Sequence, residues 1–238
     1  MNMTIIGLTL RALLGRRRVL MLAPMPLVLI GLTLFGITAD AGDAADWGPV
    51  VFGNLGLSVI LPLTALIVGS SVLGLEIDDG TITHLLTKPL PRSEIVLSKL
   101  AVAWAVTALA TGIPLAAAAL LAGSTSLAAG LVLAVAVGSL AYCALFLALS
   151  VVTKRPVAVG LVYIMLWENI LVGFVDGARV FSVREHATTL ADRIGDTTLL
   201  DSTVPLATAV GVSILFIVAG TVGATQRLRS FALTGEAN

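Results

Sequence analysis

The sequence predicts an all-α integral membrane protein, one bundle of six transmembrane helices, on three observations. Its 238 residues are 58% hydrophobic and only 12% charged, with a mean hydropathy of +1.05. A water-soluble domain of that length leaves too much of its surface wet to hide so many apolar side chains. Uninterrupted apolar runs recur at 19–38, 50–75, 97–122, 127–152, 157–175 and 205–225, each close to the roughly 20 residues that cross a hydrocarbon core. None of them breaks into the short alternating segments of a barrel, so helices, which satisfy their own backbone in lipid, are the expected spanning unit. Six spans put both termini on one side. Taking that side as cytoplasmic divides the basic residues 11 to 3, with only Arg179, Arg184 and Arg193 outside, as the positive-inside rule requires.

The elements follow in order. Residues 4–15 read as an interfacial amphipathic helix. Thr4, Gly7, Arg11, Gly15 and Arg18 share one side and Ile6, Leu10, Leu13 and Leu14 the other, a pattern that lies in the headgroup plane with arginines toward anionic lipid. Arg16, Arg17 and Arg18 then lead into the first span. A secretory signal ending at Ala39-Asp40-Ala41 is the weaker reading, since its core is too long and many residues precede its charges. Pro24 and Pro26 in span one, Pro62 in span two and Pro114 in span three are expected to kink or break those helices.

Spans three and four are rich in alanine and glycine (Ala116 to Ala119, Gly130, Gly138), which lets backbones approach closely in lipid. The link Gly123-Ser124-Thr125-Ser126 is short enough to force an antiparallel hairpin. The segment 176–204 lies outside. Ser182 and Glu185 make a capping box, Val183, Ala187, Leu190 and Ile194 follow at helical spacing, and Gly195 is placed to end the helix. An amphipathic helix is expected at about 183–194, with Arg184, Glu185, Asp192 and Arg193 as its solvated face.

The densest polar stretch sits between spans two and three, from Glu76 to Lys99. Asp78 and Asp79 suit the positive end of a short helix. Ile82, Leu85 and Leu86 give that helix one apolar side, and Pro89 and Pro91 stop it. Ser93 is then expected to cap span three, with Arg92 and Lys99 at headgroup level. Four acids (Glu76, Asp78, Asp79 and Glu94) on the side where basic residues belong argue for more than a topology signal. A rigid cytoplasmic knob results, suited to docking into another protein and passing a push to two spans.

Glu76, Gly80, Thr81, Pro89, Arg92 and Lys99 form a Glu-x-x-x-Gly-Thr, Pro-x-x-Arg and lysine series. It resembles the cytoplasmic elbow of type-2 ATP-binding-cassette (ABC) transporter permeases, the type V exporter fold. The amino-terminal helix, the six spans and the outer helix before the last span extend the resemblance to the whole chain, read as a single transmembrane domain over 1–238. Trp167-Glu168 in span five is similar to a pair found in many actinobacterial members. The resemblance implies a coupling helix, with Glu76, Asp78, Asp79, Gly80, Thr81, Ile82, Leu85, Leu86, Pro89, Arg92 and Lys99 contacting a separate nucleotide-binding subunit. It also implies a second permease subunit, identical or related, and a multi-pass protein of the bacterial cytoplasmic membrane with both termini in the cytoplasm.

No Gly-x-x-x-x-Gly-Lys-Ser/Thr loop occurs, so ATP and magnesium are expected on the partner ATPase and no cofactor on this chain. Glu168 is the only ionisable residue deep in a span and faces protein, water or a partner, as a substrate or gating group or as a structural one. Lone Cys143 reads as a buried small hydrophobe. His84 and His186 fall on opposite sides of the membrane, so no shared metal or acid–base site is expected, and no nucleic-acid partner is indicated. Two other functional classes stay open: a proton-coupled carrier built on Glu168, and a non-transporting anchor for an ATPase.

Overall fold

The computed structural model describes residues 3–13, 15, 23–39, 44–78, 91–195, 199–200 and 202–234, and no strand occurs among them. Helix α1 (Met3–Leu13) precedes α2 (Pro24–Thr38) and the short α3 (Ala44–Gly48). A π-helical stretch, π1 (Pro49–Ile60), runs directly into α4 (Leu61–Asp78). The long helices α5 (Arg92–Leu121) and α6 (Thr125–Val152) come next. Then α7 (Pro156–Val162), a second π stretch π2 (Tyr163–Leu171) and α8 (Val172–Phe174) form one continuous rod. A 3-10 turn (Asp176–Phe181), α9 (Val183–Gly195) and α10 (Leu206–Thr234) complete the chain.

Among the described residues, the helices long and apolar enough to cross a membrane are Asp46–Gly74, Arg92–Leu121, Thr125–Val152, Pro156–Phe174 and Leu206–Ser230, five in all. Their positions match the five later apolar runs to within a few residues. The first run is different. Residues 19–22 lie outside the described set, and the rest form the 15-residue α2, about 22 Å long and short of the hydrocarbon thickness. Pro24 and Pro26 fall at the start of α2 rather than inside a span, where a missing N–H is tolerated. Helix α5 continues through Pro114, and Pro62 follows at once on π1.

Helix α6 is the centre of the bundle, packed against α4, α5, α9 and α10. Its turn from α5 is built as the sequence suggests: Gly123 takes a φ of +82°, which a Cβ would strain, and the Ser124 hydroxyl accepts the Leu127 N–H at 3.1 Å to cap α6. Tyr142 and Phe146 of α6 stack at 5.8 Å, and Tyr163 of π2 meets Phe146 edge-on at 6.3 Å. Cys143 is fully buried against the Thr107 hydroxyl.

Helix α9 forms within a residue of its expected bounds, and it runs along α6, buried through Val183, His186, Ala187, Leu190 and Ala191. Glycines make that approach possible. A Cβ on Gly130 would stand 2.5 Å from the Ala191 carbonyl oxygen and 2.8 Å from the Gly195 nitrogen, and one on Gly138 would stand 3.2 Å from Ala187 Cβ. The carboxyl end of α9 therefore sits beside Gly130, and its amino end reaches the level of Tyr142, about 25 Å below Thr125 at roughly 1.5 Å per residue. Helix α9 is therefore packed lengthwise against the outer part of α6 and is a buried element of the bundle. Arg184 and Glu185, expected as a solvated face, are paired at 2.7 Å and only 20% and 13% exposed.

Two smaller expectations are also revised. Helix α1 packs on α5 with Ile6 and Leu13 of the predicted apolar side turned inward, but Thr9 is buried and Leu10 exposed. Ser93 does not cap α5. Pro91 occupies that position, its carbonyl accepting the Glu94 N–H at 2.9 Å.

Candidate functional site

Glu168 lies on π2, fully buried, and its carboxylate gathers groups from α6, from π2 itself and from the entry of α9. Oε1 accepts the Tyr142 hydroxyl of α6 at 3.1 Å, the Tyr163 hydroxyl at 3.0 Å and the Val183 backbone N–H at 3.1 Å. Oε2 accepts the Ser182 hydroxyl. The Ser182 oxygen in turn accepts the Glu185 N–H at 3.1 Å, so the predicted cap of α9 is present. Glu185 does not complete the box, because its carboxylate turns to Arg184 instead. Glu168 thus occupies the positive end of α9, where free N–H groups and the helix dipole both favour a carboxylate. Its neighbour Trp167 donates its indole N–H to the Phe181 carbonyl at 3.2 Å. The Trp167-Glu168 pair is a clasp holding the entry of α9 to span five.

A second cluster marks the base of the elbow. Lys99, expected at headgroup level, is instead 1% exposed. Its Nζ donates to the Val72 carbonyl and to Glu76 Oε1, both at 2.7 Å. The lysine stem spans apolar packing while its ammonium takes a helix carbonyl and a carboxylate, which is how a buried cation is accommodated. The result is a strut between the last turns of α4 and the first turns of α5, the two helices that enter and leave the elbow. Arg92 stands at the start of α5 and is partly buried.

The remaining predicted elbow residues do not bear on this geometry. Asp78 ends α4, and its side chain and residues Asp79, Gly80, Thr81, Ile82, Leu85, Leu86 and Pro89 lie outside the described residues. Arg11 is exposed on α1, and Arg16, Arg17 and Arg18 lie outside the described residues. His186 is buried in α9, and burial lowers its pKa against the opposing pull of the Val180 carbonyl and Glu185. Among the described residues no group of three or more His, Cys, Asp or Glu is placed to hold a metal ion.

The close packing of α9 on α6 and the Glu168 clasp were not read from the sequence. The signals were present separately: a carboxylate in span five, a serine cap fourteen residues later, and two glycines eight apart on span four.

An all-helical bundle in which five helices, among the described residues, are long and apolar enough to cross a membrane defines a multi-pass membrane protein. The chain belongs to the ABC-2 transporter family: the family model described as ABC-2 family transporter protein matches residues 34–223. It is therefore a transmembrane permease component of an ABC transporter, a class that works with an ATPase subunit. No curated protein matches the chain.

Proposed function

We propose that this chain is the membrane-spanning subunit of an ATP-driven exporter, moving its substrate by alternating access while a separate nucleotide-binding subunit holds ATP and magnesium. The elbow from Asp78 to Pro89 docks on that subunit, through Asp79, Gly80, Thr81, Ile82, Leu85 and Leu86. Two permease subunits, identical or related, form the pathway. With the whole run 19–38 taken as a sixth span, beyond the five long helices, both termini would lie in the bacterial cytoplasm, with Arg11 and Arg16 to Arg18 against anionic lipid.

The observation that carries this reading is the Lys99 strut. A push on the elbow moves α4 and α5 together only if their bases are tied, and Lys99 ties Val72 and Glu76 to α5. A carrier built on Glu168 has less support, since that carboxylate is already engaged by four donors. The test is Lys99→Met in the assembled transporter. The ATPase subunit remains bound, but its hydrolysis no longer responds to the permease. Hydrolysis and transport indistinguishable from wild type would remove the strut from the coupling path.

A further inference from the structure

A cavity of about 260 Å³ lies between π1 and α9. Its polar lining is Asn54 and Ser58 from π1 with Arg184, Glu185 and Thr188 from α9, and Leu199 and Leu200 form part of its wall. Leu61, directly after π1, meets Gly138 of α6. Asn54 lies eight residues, about 12 Å, past Asp46 at the start of the span Asp46–Gly74, and it is exposed on the cavity wall. A charged pair among apolar spans is costly unless it faces protein or a watery cavity, and Arg184 and Glu185 face this one. Polar side chains on an otherwise apolar span, turned toward a largely buried ion pair, are the composition of a binding site.

The ion pair limits what fits. Arg184 and Glu185 neutralise each other at 2.7 Å. A ligand bearing one charge would engage one partner and leave the other unbalanced in a poorly solvated place. A ligand bearing both charges can exchange the internal contact for two external ones, with Arg184 matched to an anionic oxygen group in fork geometry. Asn54 and Thr188 add hydrogen-bonding capacity, and the leucines favour an apolar portion beside the head. The volume suits a head group rather than a whole large molecule.

We propose that this cavity binds the zwitterionic head of an amphiphile, Arg184 taking the anionic group and Glu185 the cationic one. Its role as a substrate site rests on the transporter reading above, whereas the binding itself does not. The same chemistry is met in a bilayer phospholipid and in an amphiphile arriving from water, and the experiment separates the two.

The full chain carrying Thr188→Cys is placed in nanodiscs of phosphatidylglycerol, and its reaction with a charged, water-soluble maleimide is timed. Thr188 lines the cavity and bonds only within its own helix, to Arg184, while native Cys143 is buried. The introduced thiol is expected to react. Dihexanoylphosphatidylcholine below its micellar concentration should slow that reaction roughly tenfold once it exceeds its dissociation constant by about that factor. Hexyltrimethylammonium and hexyl phosphate should each leave the rate nearly unchanged. Adding Arg184→Gln and Glu185→Gln together should abolish protection while the thiol still reacts. Protection without the probe in discs containing phosphatidylethanolamine assigns the site to bilayer lipid; protection only on adding the soluble probe assigns it to a ligand from water. Either supports the site.

Three results would overturn it: no reaction of Thr188→Cys when Arg155→Cys, at an exposed position, does react; equal protection by a singly charged probe; or protection that survives the double glutamine variant. No ATPase is present, so failure of the transporter reading leaves this measurement unaffected.

Discussion

Replacing Glu168 by glutamine probes the clasp on α9 with the least change of shape. An amide oxygen at the Oε1 position still faces Tyr142, Tyr163 and Val183. The amide nitrogen at Oε2 then confronts the Ser182 hydroxyl, whose oxygen already accepts the Glu185 N–H. A strained or orphaned buried donor costs about 1–3 kcal/mol. The amino end of α9 should loosen by that amount, which at 1.4 kcal/mol per decade is roughly a 5- to 140-fold larger open population. The reporter is Thr189→Cys, fully buried on α9, whose alkylation rate follows the open population when reclosing is fast. Ser182→Ala removes the hydroxyl that confronts the amide, so the glutamine penalty should shrink in that background. Alkylation rates that are equal with and without Glu168→Gln would refute the clasp. So would a penalty that Ser182→Ala leaves unchanged, because the effect would then not pass through that contact.

Other consequences follow from the same geometry. Gly130→Ala should push α9 away from α6 and destabilise its docking by about 1–3 kcal/mol, whereas Gly112→Ala, whose Cβ would meet only Val135 at 3.6 Å, should be neutral or slightly stabilising; thermal unfolding in detergent compares them. Glu76→Gln should be more damaging than Lys99→Met, because it leaves a buried ammonium short of its carboxylate while the methionine leaves no buried charge; the ranking is read from the same melts. His186 has a lowered pKa through burial, so the folded chain binds fewer protons than the unfolded one. Stability is then full above about pH 6.5 and declines as pH falls below it. His186→Gln should flatten that acid decline in a pH series of unfolding midpoints.

The spans were legible because hydropathy is a local property. Runs at 97–122 and 127–152 became Arg92–Leu121 and Thr125–Val152, and the Gly123 turn and Ser124 cap needed only neighbouring residues. The ends of α9 were legible for the same reason, from Ser182 and Gly195. Its close packing was not. Arg184, Glu185, Asp192 and Arg193 read as a solvated face in isolation, and only the bare backbone at Gly130 and Gly138, far back in the chain, brings α9 against α6. Glu168 was visible as an anomaly, but its donors come from residues 142, 163, 182 and 183, and no periodicity links those positions. Glu76 and Lys99 stand out in the sequence as motif residues, with Lys99 expected at headgroup level. Their pairing across 23 residues, with the Val72 carbonyl as a third member, depends on how α4 and α5 meet.

The central claim is that this permease takes its energy from an ATPase seated on the elbow. The full chain, affinity-purified from its native membrane, should bring with it a nucleotide-binding protein and magnesium-dependent ATP hydrolysis. A chain carrying Leu85→Asp and Leu86→Asp, purified in equal amount with the same melting profile, should bring neither. Hydrolysis retained by that variant, or absent from the wild-type preparation, would contradict the account.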